Sequence, residues 1–126
     1  MELVITNNPM VRDKFSDKDS RQLEFYDTDY LGVLKIARDK IHLGNSLLTH
    51  PLSSSLKPGE TPYKTLIISA VKRTLDEKSL SMIEESIQTY LKFTAKRISK
   101  NIEVNRYSDK VLKDFQLIDY ELIFSD

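Results

Sequence analysis

A long apolar stripe in the second half of the chain restricts the fold more than any other feature of the sequence. Ser81 and Glu84, near its start, have the spacing of a capping box, which marks the first turn of a helix. The stripe recurs at steps of three and four residues, the spacing of one helix face, and consists of Leu80, Ile83, Ile87, Leu91, Ala95, Ile98 and Ile102. We therefore predict a helix over residues 80–102 that packs this face on the core.

Four short runs of apolar and β-branched residues lie before the stripe and predict β-strands. They are residues 3–6, 23–26, 47–49 and 63–71. Because the last run is the longest, we predict it to be a central strand, buried on both faces. The first run ends in Asn7-Asn8-Pro9, a sequence typical of a turn.

A second helix is predicted between the second and third runs. Asp29 is suited to cap its first turn, and Gly44 is suited to a left-handed conformation just after its last turn. The apolar residues between them recur at helical spacing, and they are Tyr30, Val33, Leu34, Ala37 and Ile41. The end of the chain fits both helical and strand spacing, and there we predict a short helix over residues 109–114 followed by a strand.

The length of the chain supports one hydrophobic core and no second one. A domain of 126 residues buries about two-thirds of the surface that its unfolded chain exposes. The content of 40% hydrophobic and 30% charged residues is typical of a globular protein. We predict that residues 1–126 form a single compact α/β domain, with a small mixed β-sheet packed by two main helices.

The composition disfavours several classes of function. Basic and acidic residues balance at 19 each, which argues against nucleic-acid binding. There is no cysteine, so the chain has no disulfide and no thiol chemistry of its own. The sequence contains neither a signal peptide nor an apolar stretch of membrane-spanning length. We expect a cytoplasmic protein without a nucleic-acid or membrane partner, and the sequence does not specify its oligomeric state.

The connection between the predicted strands at residues 47–49 and 63–71 carries the side chains best suited to a binding site. Residues 46–70 hold three of the four prolines, together with an imidazole, hydroxyl groups and two ammonium groups. Such groups recognise carboxylates and phosphates, and long ordered loops are often functional. We predict that a small anionic ligand or a protein partner binds there, at Thr49, His50, Ser53, Ser55, Lys57, Thr61, Tyr63 and Lys64, with Asn7 and Asn8 as further candidates because they follow a strand.

Three alternatives to this interpretation remain open, and one is a structural subunit, which would expose an apolar patch and form a dimer or hetero-complex. The hydroxyl groups can instead hydrogen-bond to the loop itself, which would make it a proline-stiffened surface connection. The chain can also be a small enzyme in which His50 is the general base and Tyr63 or Lys64 is the electrophilic partner.

No established catalytic motif is present. The serines at 53–55 lack the flanking glycines of a nucleophile elbow, and residues 59–65 lack the second glycine of a phosphate-binding loop. His42 and His50 have no spacing or acidic neighbours that indicate a metal site. The sequence therefore predicts neither a metal nor a cofactor.

Three segments resemble a known protein family. They are VITNNP at 4–9, KIHLGN at 40–45 and LLTHPLSSSLKPGETPYK at 47–64, and they are similar to segments of the GrdX family. The similarity covers most of the chain and is strongest in the block from Thr49 to Lys64. Members of this family are encoded beside the genes of glycine, sarcosine and betaine reductases in anaerobes that ferment amino acids.

The resemblance implies an accessory or regulatory role close to such a reductase, with a reductase component as a candidate partner. Because the chain has no cysteine, it cannot itself perform the thiol step of that chemistry. If the characteristic block is also the family's site, the resemblance assigns the site to Thr49, His50, Lys57, Pro58, Thr61, Tyr63 and Lys64.

Overall fold

The chain builds a three-stranded mixed sheet between two layers of helices. The computed structural model describes residues 2–16, 21–52, 59–99 and 107–124. For residues 96–99 it describes the backbone but not the side chains. In chain order the elements are β1 (Glu2–Thr6), α1 (Pro9–Lys14), β2 (Arg21–Phe25), α2 (Tyr30–His42), β3 (Thr65–Ser69), α3 (Glu77–Ser99) and α4 (Asp109–Phe124). This confirms the predicted α/β class with a small mixed sheet.

The central strand of the sheet is β1, which pairs in parallel with β2 and antiparallel with β3. The prediction of a central strand over residues 63–71 was therefore wrong in position, since β3 is shorter and lies at an edge. Helices cover both faces of the sheet, so an edge strand here is as apolar as a central one. The edge is also shielded by the preceding segment, because Leu48 N donates to Ile67 O at 2.9 Å.

The predicted strand over residues 47–49 was also wrong. It is reduced to a single antiparallel bridge between Leu47 and Ile68. Two residues further on, the side chain of Thr49 takes over the pairing, because Ile67 N donates to Thr49 Oγ1 at 3.1 Å. A hydroxyl group that accepts the strand's amide in this way ends the ladder.

The hydrophobic core is divided between the two faces of the sheet. Successive residues of a strand point to opposite faces: Leu3 and Ile5 pack with α2 and α3, whereas Val4 packs with Val11 of α1 and with side chains of α4. The strands β1 and β3 thus contribute to both apolar layers, whereas β2 contributes Leu23 to one of them. Any polar group at the end of a strand is consequently placed against one helical layer or the other.

The longest helix, α3, begins earlier than the capping-box spacing predicted. Asp76 caps it, since its Oδ1 accepts hydrogen bonds from Lys78 N and Ser79 N at 3.2 and 3.4 Å. Leu91 is 41% exposed and Ala95 is also exposed, so this part of the predicted stripe is not core. Ile98 and Ile102 lie outside the described side chains. Among the helices in the described parts of the chain, none is both long enough and apolar enough to pass through a membrane.

The end of the chain is one continuous helix, α4, and the strand predicted after residue 114 was wrong. The helical spacing places Tyr120, Ile123 and Phe124 against the core layer that contains Val4. Alternation of apolar and polar residues was an ambiguous signal there, because the same residues also fit a helix. Asp119 lies on the inward side of this helix and is 7% exposed.

Gly44 ends α2 in the left-handed conformation that the sequence predicted, with φ +107°. A Cβ atom at this position would lie 2.1 Å from the carbonyl oxygen of Arg73, which is backbone and cannot rotate away. Arg73 N also donates to Gly44 O at 3.0 Å, so the contact joins α2 to the segment before α3.

We expect Gly44→Ala to lower the free energy of unfolding by about 2 kcal/mol, because the substitution adds a steric clash to an unfavourable φ. Urea unfolding measures the change. Leu43→Ala is the matched control, since Leu43 is 59% exposed, and it should change stability by less than about 0.5 kcal/mol. Equal effects of the two substitutions would contradict the role assigned to Gly44.

Candidate functional site

Polar side chains meet where β1 ends and β3 begins. Thr6 is paired with Thr65 in the ladder, and their Oγ1 atoms are 2.7 Å apart. Asn7 and Asn8 follow Thr6, and Lys64 precedes Thr65. All five side chains are buried. The carboxyl end of a strand at the edge of an α/β sheet is a common place for a ligand site.

Asp119 of α4 links several of these polar side chains by hydrogen bonds. Its Oδ1 accepts a hydrogen bond from Thr65 N at 3.1 Å, and its Oδ2 accepts from Thr65 Oγ1 at 2.6 Å and from Asn8 Nδ2 at 2.9 Å. Burial raises the pKa of the Asp119 carboxyl, while the hydrogen bonds from Thr65 and Asn8 and the charge of Lys64 oppose that rise. The carboxyl group thereby fixes α4 to β3 and to the start of α1.

Asn8 has a mainly structural role in this network. Its Oδ1 accepts from Met10 N and caps α1, while its Nδ2 donates to Gln116 O and to Asp119. All three contacts are 2.9 Å long. The side-chain amide therefore has both its donor and its acceptor occupied within the protein.

Asn7 fixes the backbone at the start of β3. Its Oδ1 accepts from Lys64 N at 2.8 Å, and its Nδ2 donates to Thr28 O and Pro62 O at 2.9 Å each. The same side chain thus joins the end of β1 to the chain before α2 and to the chain before β3. Its role is to position Lys64 rather than to present a free amide.

Lys64 is the cationic group among these polar side chains, and it is only 2% exposed. Its Nζ lies 6.0 Å from the centre of the Tyr30 ring, within the range of a cation–π contact. Burial lowers the pKa of Lys64 to about 8, and the negative charge of Asp119 limits the fall. An amine of this kind is mostly protonated at neutral pH but loses its proton far more readily than an exposed lysine.

The rings of Tyr30 and Tyr90 stack on each other, and the Tyr30 ring lies beside the amine of Lys64. The two rings are stacked with their centres 4.8 Å apart and 9° between their planes. Tyr30 is 3% exposed, and its hydroxyl donates to Pro51 O at 3.4 Å. Burial, and then the charge of Asp119, raises the pKa of Tyr30. The phenol therefore stays neutral and contributes its ring face rather than a charge.

The remaining predicted site residues either have hydrogen-bond partners close by or lie outside the residues that the structure describes. Thr61 is buried, and its Oγ1 accepts from Tyr63 N at 3.2 Å. Tyr63 OH accepts from Gln116 Nε2 at 2.9 Å. Thr49 accepts the amide of β3 described above. Ser53, Ser55, Lys57 and Pro58 lie outside the described residues.

His50 is exposed. Its Nδ1 accepts a hydrogen bond from Leu52 N at 3.1 Å, so the imidazole stabilises its own turn. Within the described parts of the chain, no group of three or more histidine, cysteine, aspartate or glutamate side chains could hold a metal ion.

Among the predicted site residues, the structure brings Lys64, Asn7 and Asn8 together, and it places beside them groups that the prediction omitted. These are Asp119 and the ring of Tyr30. Asp119 lies at helical spacing among Gln116, Tyr120 and Ile123, so an acid within an inward stripe was the signal. The strand interpretation of the tail hid that signal.

The fold and the site together define a small α/β domain with an amine buried at the end of its sheet. A family model described as GrdX-like protein matches residues 3–126. The chain therefore belongs to the GrdX-like family, and the resemblance seen in the sequence is confirmed. Neither the comparison with curated proteins nor the comparison with solved structures gives a match.

Proposed function

We propose that this GrdX-like chain is an accessory binding protein whose Lys64 amine binds a small organic anion. The observation that carries the proposal is the burial of Lys64 beside Tyr30, with 2% of the residue exposed. Burial of an ammonium group costs stability. Such a cost is typical of groups kept for binding or chemistry.

A small ligand fits this environment better than a protein partner does. A partner surface contacts exposed side chains, whereas Lys64 is almost fully covered. A carboxylate or phosphate of a few atoms can form a charge-assisted hydrogen bond with the amine, and such bonds contribute about 1.5 to 3 kcal/mol. The anion would add a second negative charge beside the amine, on which the charge of Asp119 already acts.

The alternative of an enzyme based on His50 draws less support from the geometry. His50 is exposed, and its Nδ1 already accepts the amide of Leu52. A general base works best in a site that excludes water and leaves its acceptor nitrogen available. In keeping with the family resemblance, we place the protein as an accessory or regulatory component beside a glycine or betaine reductase system.

We expect a carboxylate or a phosphate to raise the melting temperature of the wild-type protein by several degrees. Ligand at a hundred times its Kd contributes about 2.7 kcal/mol to stability. Differential scanning fluorimetry against carboxylates, phosphates and quaternary amines measures the shift, and the cationic amines should give none. His50→Ala should keep the shift, because the proposal assigns binding to Lys64.

Lys64→Met should abolish the ligand-induced shift, whereas Lys72→Met should preserve it because Lys72 is exposed. Each variant is compared with its own ligand-free melting temperature, since removal of a buried charge changes the baseline. If no anion stabilises the wild type, or if Lys64→Met responds as the wild type does, the proposal is wrong.

A further inference from the structure

Lys64 can act as a nucleophile as well as a cation. We propose that its Nζ captures a small 2-oxo acid by reversible imine formation. This inference rests on the proposed function, because the same amine first attracts the ligand's carboxylate. It goes further by naming the class of ligand and the bond that holds it.

The environment of Nζ suits an amine that must react. The aromatic face of Tyr30 lies on one side at 6.0 Å, and the residue is 2% exposed. A poorly hydrated amine is more easily deprotonated, which is how lysines become nucleophiles in proteins. The pKa of about 8 that burial produces is consistent with this, since the neutral form is then present at physiological pH.

The backbone below the amine is rigid. Asn7 Oδ1 accepts from Lys64 N at 2.8 Å, and Asp119 holds the amide of Thr65, the next residue, at 3.1 Å. Two buried side chains from different elements therefore fix the peptide groups on either side of the reactive side chain. A nucleophile with a fixed origin has less freedom to lose when it meets its target.

The reaction balances without an oxidant or a reductant. The lone pair of neutral Nζ attacks the carbonyl carbon of the 2-oxo acid, and proton transfer from nitrogen to oxygen gives a carbinolamine. Loss of one water molecule then replaces the C=O bond by a C=N bond. Addition of water reverses each step and releases the ligand unchanged, so the reaction is capture without turnover.

The carboxylate next to the carbonyl group explains the choice of a 2-oxo acid over a neutral aldehyde or ketone. Before the reaction it pairs with the protonated form of Lys64, and afterwards it lies next to the protonated imine, which is again a cation. Asp119, from α4, acts on the same charge. The ligand must also be small, because the amine is almost fully covered. The neighbouring chain that must shift to admit it is limited to residues 59–61, which form no helix or strand, because Asn7 holds Pro62 O and Lys64 N.

Borohydride trapping with pyruvate as the probe tests the inference. At about pH 7.5 the neutral fraction of an amine with a pKa near 8 exceeds that of an ordinary lysine by on the order of a hundredfold. We therefore expect peptide mass spectrometry of the wild-type protein to find at least about ten times more adduct on Lys64 than on any other lysine. The expected mass gain is that of pyruvic acid less one oxygen atom.

Lactate in place of pyruvate is the matched control, since it has the carboxylate but no carbonyl group. If pyruvate gives no enrichment at Lys64 while lactate and pyruvate stabilise the protein equally, the imine is excluded and anion binding stands. If neither compound nor any other anion stabilises the protein and no adduct forms, both proposals are wrong. Lys64→Met, which should carry only the background adduct of the exposed lysines, confirms the assignment.

Discussion

Replacement of Asp119 by alanine is expected to lower the free energy of unfolding by about 3 to 5 kcal/mol, because three buried hydrogen bonds from Thr65 and Asn8 lose their acceptor. The substitution removes the acceptor of Thr65 N and one of the two acceptors of Asn8 Nδ2, and both donors are buried. It also removes the negative charge that acts on Lys64. Unsatisfied buried donors cost about 1 to 3 kcal/mol each, which agrees with the total.

Urea unfolding followed by circular dichroism measures this loss. Glu121→Ala is the matched control, because Glu121 lies on the same helix and is exposed, and its effect should stay within about 0.5 kcal/mol. Asp119→Asn should fall between the two, since it keeps one oxygen and brings an NH₂ group against donors. A loss below about 1 kcal/mol for Asp119→Ala would contradict the tie between α4 and the sheet.

The second large effect is a dependence of stability on pH that comes from Lys64. Its pKa is about 8 in the folded protein and 10.5 in its ordinary environment. Between these values the unfolded chain binds more protons than the folded one, so the free energy of unfolding rises with pH. Below pH 8, the buried charge lowers the free energy of unfolding by about 3 kcal/mol. This destabilisation decreases as the pH rises from 8 towards 10.5.

The comparison of wild type with Lys64→Met isolates this term. Tyrosines also titrate at high pH, since burial raises the pKa of Tyr26 to about 12, but they are common to both proteins and cancel in the difference. From about pH 7 to pH 10, the wild type should gain about 2 to 3 kcal/mol relative to Lys64→Met. Urea unfolding at a series of pH values measures the gain, and a constant difference would contradict a lowered pKa.

The sequence was sufficient for the elements whose signals are local. The α2 helix follows from the spacing of Tyr30, Val33 and Ile41 and from the cap at Asp29, whose side chain accepts from Gly32 N. The left-handed Gly44 follows from its place after the last helical turn. In these cases the periodic pattern and the signals at the ends of the helix agreed, and the tertiary contacts favour the same local structure.

The order of the strands could not be predicted, because it depends on contacts far apart in sequence. Apolar content marked residues 63–71 as central, but the end of the chain, predicted as a short helix and a strand, forms α4 and packs on one face of the sheet. With both faces covered, the apolar content of β3 no longer distinguishes an edge strand from a central one. The placement of α4 itself depends on a hydrogen bond between residues 54 positions apart, Thr65 and Asp119.

Sequence patterns indicated only some of the residues that form the candidate site. Strand ends and an ordered loop indicated Asn7, Asn8 and Lys64, which lie together in the structure. Sequence patterns cannot show which side chains are buried, and burial distinguishes Lys64 from the exposed His50. The contact between the Tyr30 ring and Lys64 could not be predicted, because Tyr30 also fits the core pattern of α2.

Direct titration of Lys64 tests the central claim, that a buried amine lies at the end of the sheet. In protein labelled with ¹³C at the lysine ε position, NMR follows the Lys64 signal, assigned by its loss in Lys64→Met, as the pH is raised. The structure predicts a midpoint near pH 8 for Lys64, well below the ordinary value of 10.5. A Lys64 midpoint close to 10.5 would contradict the buried amine and the functions proposed from it.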